Sequence, residues 1–153
     1  MYELKYEPFD MLHKSVDPFE FNGKIDPVET ERLMIEIMLK HNGIGIAANQ
    51  IGLNSQVFII GSNEIPGFIK PQAFFNPIIT KVSVKKNTDY EGCLSFPNLM
   101  LKIKRYDSIE VSYQDIKGEW TNSKLNGYLA RVFQHEFDHL NGICFNERAE
   151  KFI

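Results

Sequence analysis

The sequence predicts an α+β fold in which mainly antiparallel, twisted strands pack around a central helix that carries the motif H-E-x-x-H. Three observations predict it. Two stretches, 27–41 and 127–141, combine helix-start signals, apolar spacing and helix-stop residues. The chain between them, from about 57 to 125, reads mostly as β, with strict apolar–polar alternation over 108–114. No repeat, linker or low-complexity tract interrupts this order, so residues 1–153 are expected to form one catalytic domain.

Residues 1–25 lack sustained periodicity and contain Pro8, Pro18 and Gly23, which predicts an irregular arm lying over the body of the domain. Asp26-Pro27-Val28-Glu29 then supplies an N-cap, a proline at the first helical position and a glutamate three residues after the cap, ahead of apolar Leu33, Met34, Ile37 and Met38. Gly43 stands where a left-handed stop residue belongs. The segment Gly43-Ile44-Gly45-Ile46-Ala47-Ala48-Asn49-Gln50 leads into the apolar strand Val57-Phe58-Ile59-Ile60. Further on, Asp115-Ile116-Lys117-Gly118 is a turn joining the alternating stretch 108–114 to 119–125 as a hairpin. Asn126 is expected to cap the second helix and Gly142 to end it.

At 153 residues with 43% apolar content, the chain can bury one sizeable core. A formal net charge of -3, with both signs scattered along the chain, provides no basic face to neutralise phosphates, so nucleic-acid binding is not expected. The N-terminus has no basic stretch followed by an apolar run, and no segment approaches eighteen consecutive apolar residues. These features predict a cytoplasmic protein without membrane contact. Two cysteines, Cys93 and Cys144, are too few for a disulfide framework.

The chemistry concentrates in Gln134-His135-Glu136-Phe137-Asp138-His139. Histidines four apart share a helix face, so both imidazoles can reach one ion while Glu136 projects beside it. With four histidines and thirteen glutamates in the chain, composition alone gives roughly 0.01 chance matches, against which a pair of ordinary helical histidines is the bland alternative. A catalytic centre of this type needs a third protein ligand. A metzincin would have a histidine six residues after His139, where Phe145 stands. Glu147 and Glu150 lie in a tail with little room to fold back. Cys93 is the remaining strong donor, in Tyr90-Glu91-Gly92-Cys93-Leu94-Ser95, where Gly92 permits close backbone approach. Taken alone, a free cysteine is more often a buried structural residue.

Three segments, 43–50, 91–95 and 134–139, resemble in order and spacing the three signature motifs of the peptide deformylases, and the similarity extends from the Leu12 region to Phe145. The resemblance implies a metal-dependent hydrolase that removes formate from the N-formyl-methionine beginning a nascent polypeptide. It implies that Cys93, His135 and His139 are the metal ligands, that Glu136 is the acid/base, and that Gln50 and the Leu94 backbone N–H polarise the formyl oxygen. The implied cofactor is one divalent ion, ferrous iron in the cell, with zinc, nickel or cobalt also accepted. The implied partners are N-formyl-methionyl peptides and, beyond them, the ribosome.

Substrate binding is expected along the backbone of Ile44 and Gly45, with the peptide lying beside Gly92. For the methionine side chain, the helix face before His135 offers Val132, the alkyl stem of Arg131, and Tyr128. Core packing for Val132 and Tyr128, and solvent for Arg131, are equally open. Asp138 and Gln134 could orient the ligands, although a charge on the helix surface is the commoner fate of such an aspartate. Arg105 could hold an internal carboxylate such as Glu91 or, equally, lie at the surface, and Cys144 reads as core. The chain resembles the compact family members that lack a long C-terminal helix, and Met100 stands where some members carry an arginine near the substrate. Action on other blocked peptides and a purely structural metal module are the competing readings.

Overall fold

The computed structural model describes residues 2–149. After a short 3-10 turn at Asp10–His13 comes helix α1 (Pro27–Lys40). Strands β1 (Gly45–Ala47) and β2 (Val57–Ile60) follow, with a 3-10 turn at Ala48–Ile51 between them. Strands β3 (Gln72–Val82), β4 (Lys86–Cys93), β5 (Phe96–Tyr106), β6 (Ser108–Gln114) and β7 (Trp120–Asn126) lead to helix α2 (Gly127–Leu140) and a last 3-10 turn at Phe145–Glu147. One sheet has the order β1-β2-β3-β6-β7 with every neighbouring pair antiparallel. β4 and β5 form a separate two-stranded ribbon.

The apolar run of β2 explains how the sheet is covered. All four of its residues are buried, which requires both faces to be packed. Val57 and Ile59 point into a core shared with Met34, Ile37 and Met38 of α1. Phe58 and Ile60 point the other way, into a core shared with Ala130, Phe133 and Leu140 of α2. Phe58 and Phe133 meet edge to face, 4.9 Å between centroids at 87°, a favoured aromatic geometry. The sheet thus separates the two helices, and α2 lies between it and the β4–β5 ribbon.

The cap of α1 forms as its sequence predicts: Asp26 accepts a hydrogen bond from the Glu29 N–H at 3.0 Å. Two local expectations are corrected. The left-handed residue after α1 is Asn42, at φ 59°, rather than Gly43. Asparagine tolerates that conformation, and Gly43 instead leaves room for Leu94, whose Cδ1 would lie 2.7 Å from a Cβ there. Asn126 precedes α2 in extended conformation but makes no side-chain cap bond. Gly142, at φ +74°, does follow the end of α2.

Candidate active site

Ten of the fourteen residues of α2 are buried, so the helix delivers its motif into the interior rather than to solvent. His135 and His139 meet edge to face one turn apart, with ring centroids at 5.0 Å. Cys93 ends β4, beside a register shift in the pairing with β5. Its Sγ lies 3.4 Å from His139 Nε2. Donor atoms of Cys93, His135 and His139 all lie within 4.8 Å of one another, although sulfur and imidazoles come from segments remote in sequence.

Glu91 sets the orientation of His135. Its Oε1 is 2.8 Å from His135 Nδ1, and because a carboxylate here only accepts, that nitrogen carries the proton and Nε2 is left for another partner. Arg105 donates to both oxygens of Glu91 at 2.9 Å, and Arg131 donates to Oε2 at 2.6 Å. Burial opposes the charge on Glu91, but the hydrogen bonds from His135 and Arg105 outweigh it and hold the carboxyl at about 2. Arg105 also donates to Asp138 at 2.6 Å, and Asp138 accepts from Arg148 at 2.9 Å.

The surroundings favour a cation among the three donors. Burial disfavours a charged His135, yet Cys93, Glu91 and Glu136 together push it up to about 10, so its Nε2 holds a proton or a metal ion, either of which answers the same negative field. Burial keeps His139 well below the usual histidine range, so it is neutral and has a lone pair to give. Burial raises the Glu136 carboxyl to about 7. Among the described residues, Glu136 Oε1, beside the three donors, is buried without a hydrogen-bond partner, which marks a site built for something besides protein. One sulfur, two imidazoles and an adjacent unpaired carboxylate fit a divalent transition ion with water beside it.

Gln50 reaches the same place from the 3-10 turn after β1. Its Oε1 accepts from Ala47 N–H at 2.8 Å, and its Nε2 donates to Ser95 Oγ at 3.1 Å and lies 3.6 Å from Cys93 Sγ. A cavity of about 540 Å³ opens onto these groups; Ile44, Gly45, Gln50, Gly92, Leu94 and Val132 line it. Cys93, His135, Glu136, Tyr128 and Arg131 also face it, whereas His139 is fully buried behind its wall. The three donors, Glu136, Gln50 and the residues expected to meet the peptide therefore lie around or directly behind one cavity.

Several details differ from expectation. Arg131 is neither solvent-exposed nor merely a stem: its guanidinium is buried on Glu91 and on the Ile103 carbonyl. Tyr128 is half-exposed at the rim, stacked on Phe68 at 5.7 Å, and so is not core. Val132 is buried and touches both core and cavity. Asp138 is buried in its two arginine pairs rather than lying on the helix surface. Gln134 bonds the backbone of Tyr106 and Ala130, not a ligand. Glu147 accepts from Cys144 N–H at 2.7 Å, far from a ligand's role, and Glu150 lies outside the described residues. Sequence reasoning missed Ser95, bonded to Gln50, and Asn49, whose side-chain amide donates to the His139 carbonyl. Only their place in the motif segments signalled them.

Fold and site together define the class: an α+β hydrolase with a place for one metal ion next to a buried carboxylate. The sequence profile of the polypeptide deformylases matches residues 1–152, and the chain belongs to that family. It is 38% identical over 149 residues to a peptide deformylase of Thermotoga petrophila, covering 97% of this chain and 87% of the relative. The crystal structure of peptide deformylase from Thermotoga maritima superposes with a TM-score of 0.90 at 36% identity, covering 99% of both chains. A Met-Ala-Ser-bound peptide deformylase of Acinetobacter baumannii superposes with a TM-score of 0.87 at 32% identity, covering 95% of this chain and 96% of the other. The known activity of the family is metal-dependent removal of the formyl group from the N-terminal formyl-methionine of nascent polypeptides.

Proposed function

We propose that this chain deformylates peptides with Cys93, His135 and His139 as the ligands of one divalent ion and Glu136 as general base and acid. The observation that carries the reading is the convergence of those three donors within 4.8 Å of one another, next to a buried, unpaired carboxylate oxygen. When bound, the ion supplies Lewis-acid polarisation and lowers the pKa of a water from 15.7 toward about 7. Glu136 Oε1 takes a proton from the attacking water and returns it to the departing amine, a contribution of about 10² to 10⁴ in rate. A carboxyl that burial raises to about 7 suits both halves of that exchange.

Gln50 Nε2 gives one proton to Ser95 and directs the other at Cys93 Sγ over 3.6 Å; that long contact gives way to the oxyanion, which the Leu94 N–H also meets, each such donor being worth about 3 kcal/mol. The peptide adds as a strand beside β1, which is the sheet's edge. Ile44 O already accepts from Gly61 N–H at 3.0 Å, and alternation along the strand turns the main chain of Gly45 to the free edge. Opposite it runs Gly92, and the methionine side chain enters between Ile44, Val132 and Tyr128 with the Arg131 stem. The Met-Ala-Ser occupant of the Acinetobacter relative supports a peptide of this kind.

Ferrous iron is the proposed ion in the cell; the donor set equally suits zinc, nickel or cobalt. On this reading the enzyme acts on nascent chains in the cytoplasm, with the ribosome as a partner. Formate release from formyl-Met-Ala-Ser by anaerobically metal-loaded protein tests the reading: release is expected from the formyl peptide and none of acetate from acetyl-Met-Ala-Ser. No formate from fully loaded protein contradicts it.

A further inference from the structure

A second group of mixed donors lies where the N-terminal arm meets the turn after α2. A Cβ on Gly142 would come within 2.7 Å of the His13 and Lys14 backbone, so only a bare glycine lets these two segments touch. Val16 N–H donates to Leu140 O at 3.1 Å and fixes the contact. His13 is thereby set beside Cys144, whose sulfur is buried 3.6 Å from Leu12 O. Glu7 joins from the arm, its own N–H donating to Ser95 O at 3.0 Å. Donor atoms of Glu7, His13 and Cys144 lie within 4.8 Å of one another. His13 Nε2 is 2.9 and 2.7 Å from the two oxygens of Glu7, so imidazole and carboxylate already face one another beside the buried sulfur.

We propose that Glu7, His13 and Cys144 form a second divalent transition-metal site, of zinc or cobalt type, that clasps the arm to the turn after α2. Sulfur, imidazole and carboxylate are the three ligand types such ions take. Coordination releases the thiol proton to solvent, and the side chains of Glu7 and His13, 30% and 45% exposed, admit a water as fourth ligand. Because Glu7 is also bonded to Ser95, the clasp lies behind the segment that presents Cys93.

Protein already carrying one ion per chain, desalted and then titrated with Co²⁺, tests the proposal by elemental analysis and by thiolate-to-cobalt absorption. Wild type takes a second equivalent with new absorption. His13→Ala, at a half-exposed position that tolerates truncation, and Cys144→Ser each weaken that second binding at least about tenfold and leave formate release unchanged; Cys144→Ser also abolishes the new absorption. A wild-type count that stays at one, or retention of the second ion by either variant, overturns the proposal.

Discussion

At the scale of single residues, Gly45 makes an exacting demand. A Cβ there would stand 2.5 Å from Glu136 Oε2, so Gly45→Ala must displace the carboxylate. A misplacement of that order costs about 10² in rate; kcat/KM of Gly45→Ala should fall by about that factor, while the ion count stays at one. Unchanged kinetics would contradict the placement of Glu136. Glu91 makes a different demand. Its folded pKa of about 2 lies below its ordinary 4.5, so its stabilisation is complete above about pH 4.5 and disappears as pH falls toward 2. Glu91→Gln should flatten that limb of the thermal midpoint against pH. At neutral pH it should cost about 3–5 kcal/mol, because Arg105 and Arg131 then lose a buried counter-charge. The meeting of His135, Glu136 and His139 on one helix face was legible because their spacing is local. The inward turn of Arg131 was not, since its partner Glu91 stands forty positions away in the chain.

At the scale of elements, α2 is held by what it packs on more than by its start. Phe133, fully buried against Phe58 and Phe74, should cost about 3–5 kcal/mol on truncation to Ala. Asn126→Ala should stay within about 0.5 kcal/mol, because Asn126 makes no cap bond, whereas Asp26→Ala should cost about 1 kcal/mol. Urea denaturation of the three variants reads the order directly; a large effect at Asn126 would contradict the cap assignment. The sequence marked α1, α2, β2 and the β6–β7 hairpin well, because each has strong periodicity or a buried apolar run. The limits of β4 and β5 were not legible. Most of their residues are exposed or half-exposed, which removes the alternation that would announce a strand.

At the scale of the molecule, the sheet and the β4–β5 ribbon enclose α2 so that a sulfur from the ribbon and two imidazoles from the helix lie within 4.8 Å of one another. The paired histidines were readable from spacing, but the third donor was not: Cys93 stood out only by exclusion and by likeness to a family, since no local pattern tells which remote loop will close over a helix. X-ray absorption at the edge of the bound metal tests this convergence most directly. Wild-type protein should show one sulfur scatterer at about 2.3 Å together with an imidazole shell, and Cys93→Ala should lose the sulfur. A first shell of nitrogen and oxygen alone in wild type, or sulfur retained in the variant, would contradict the account.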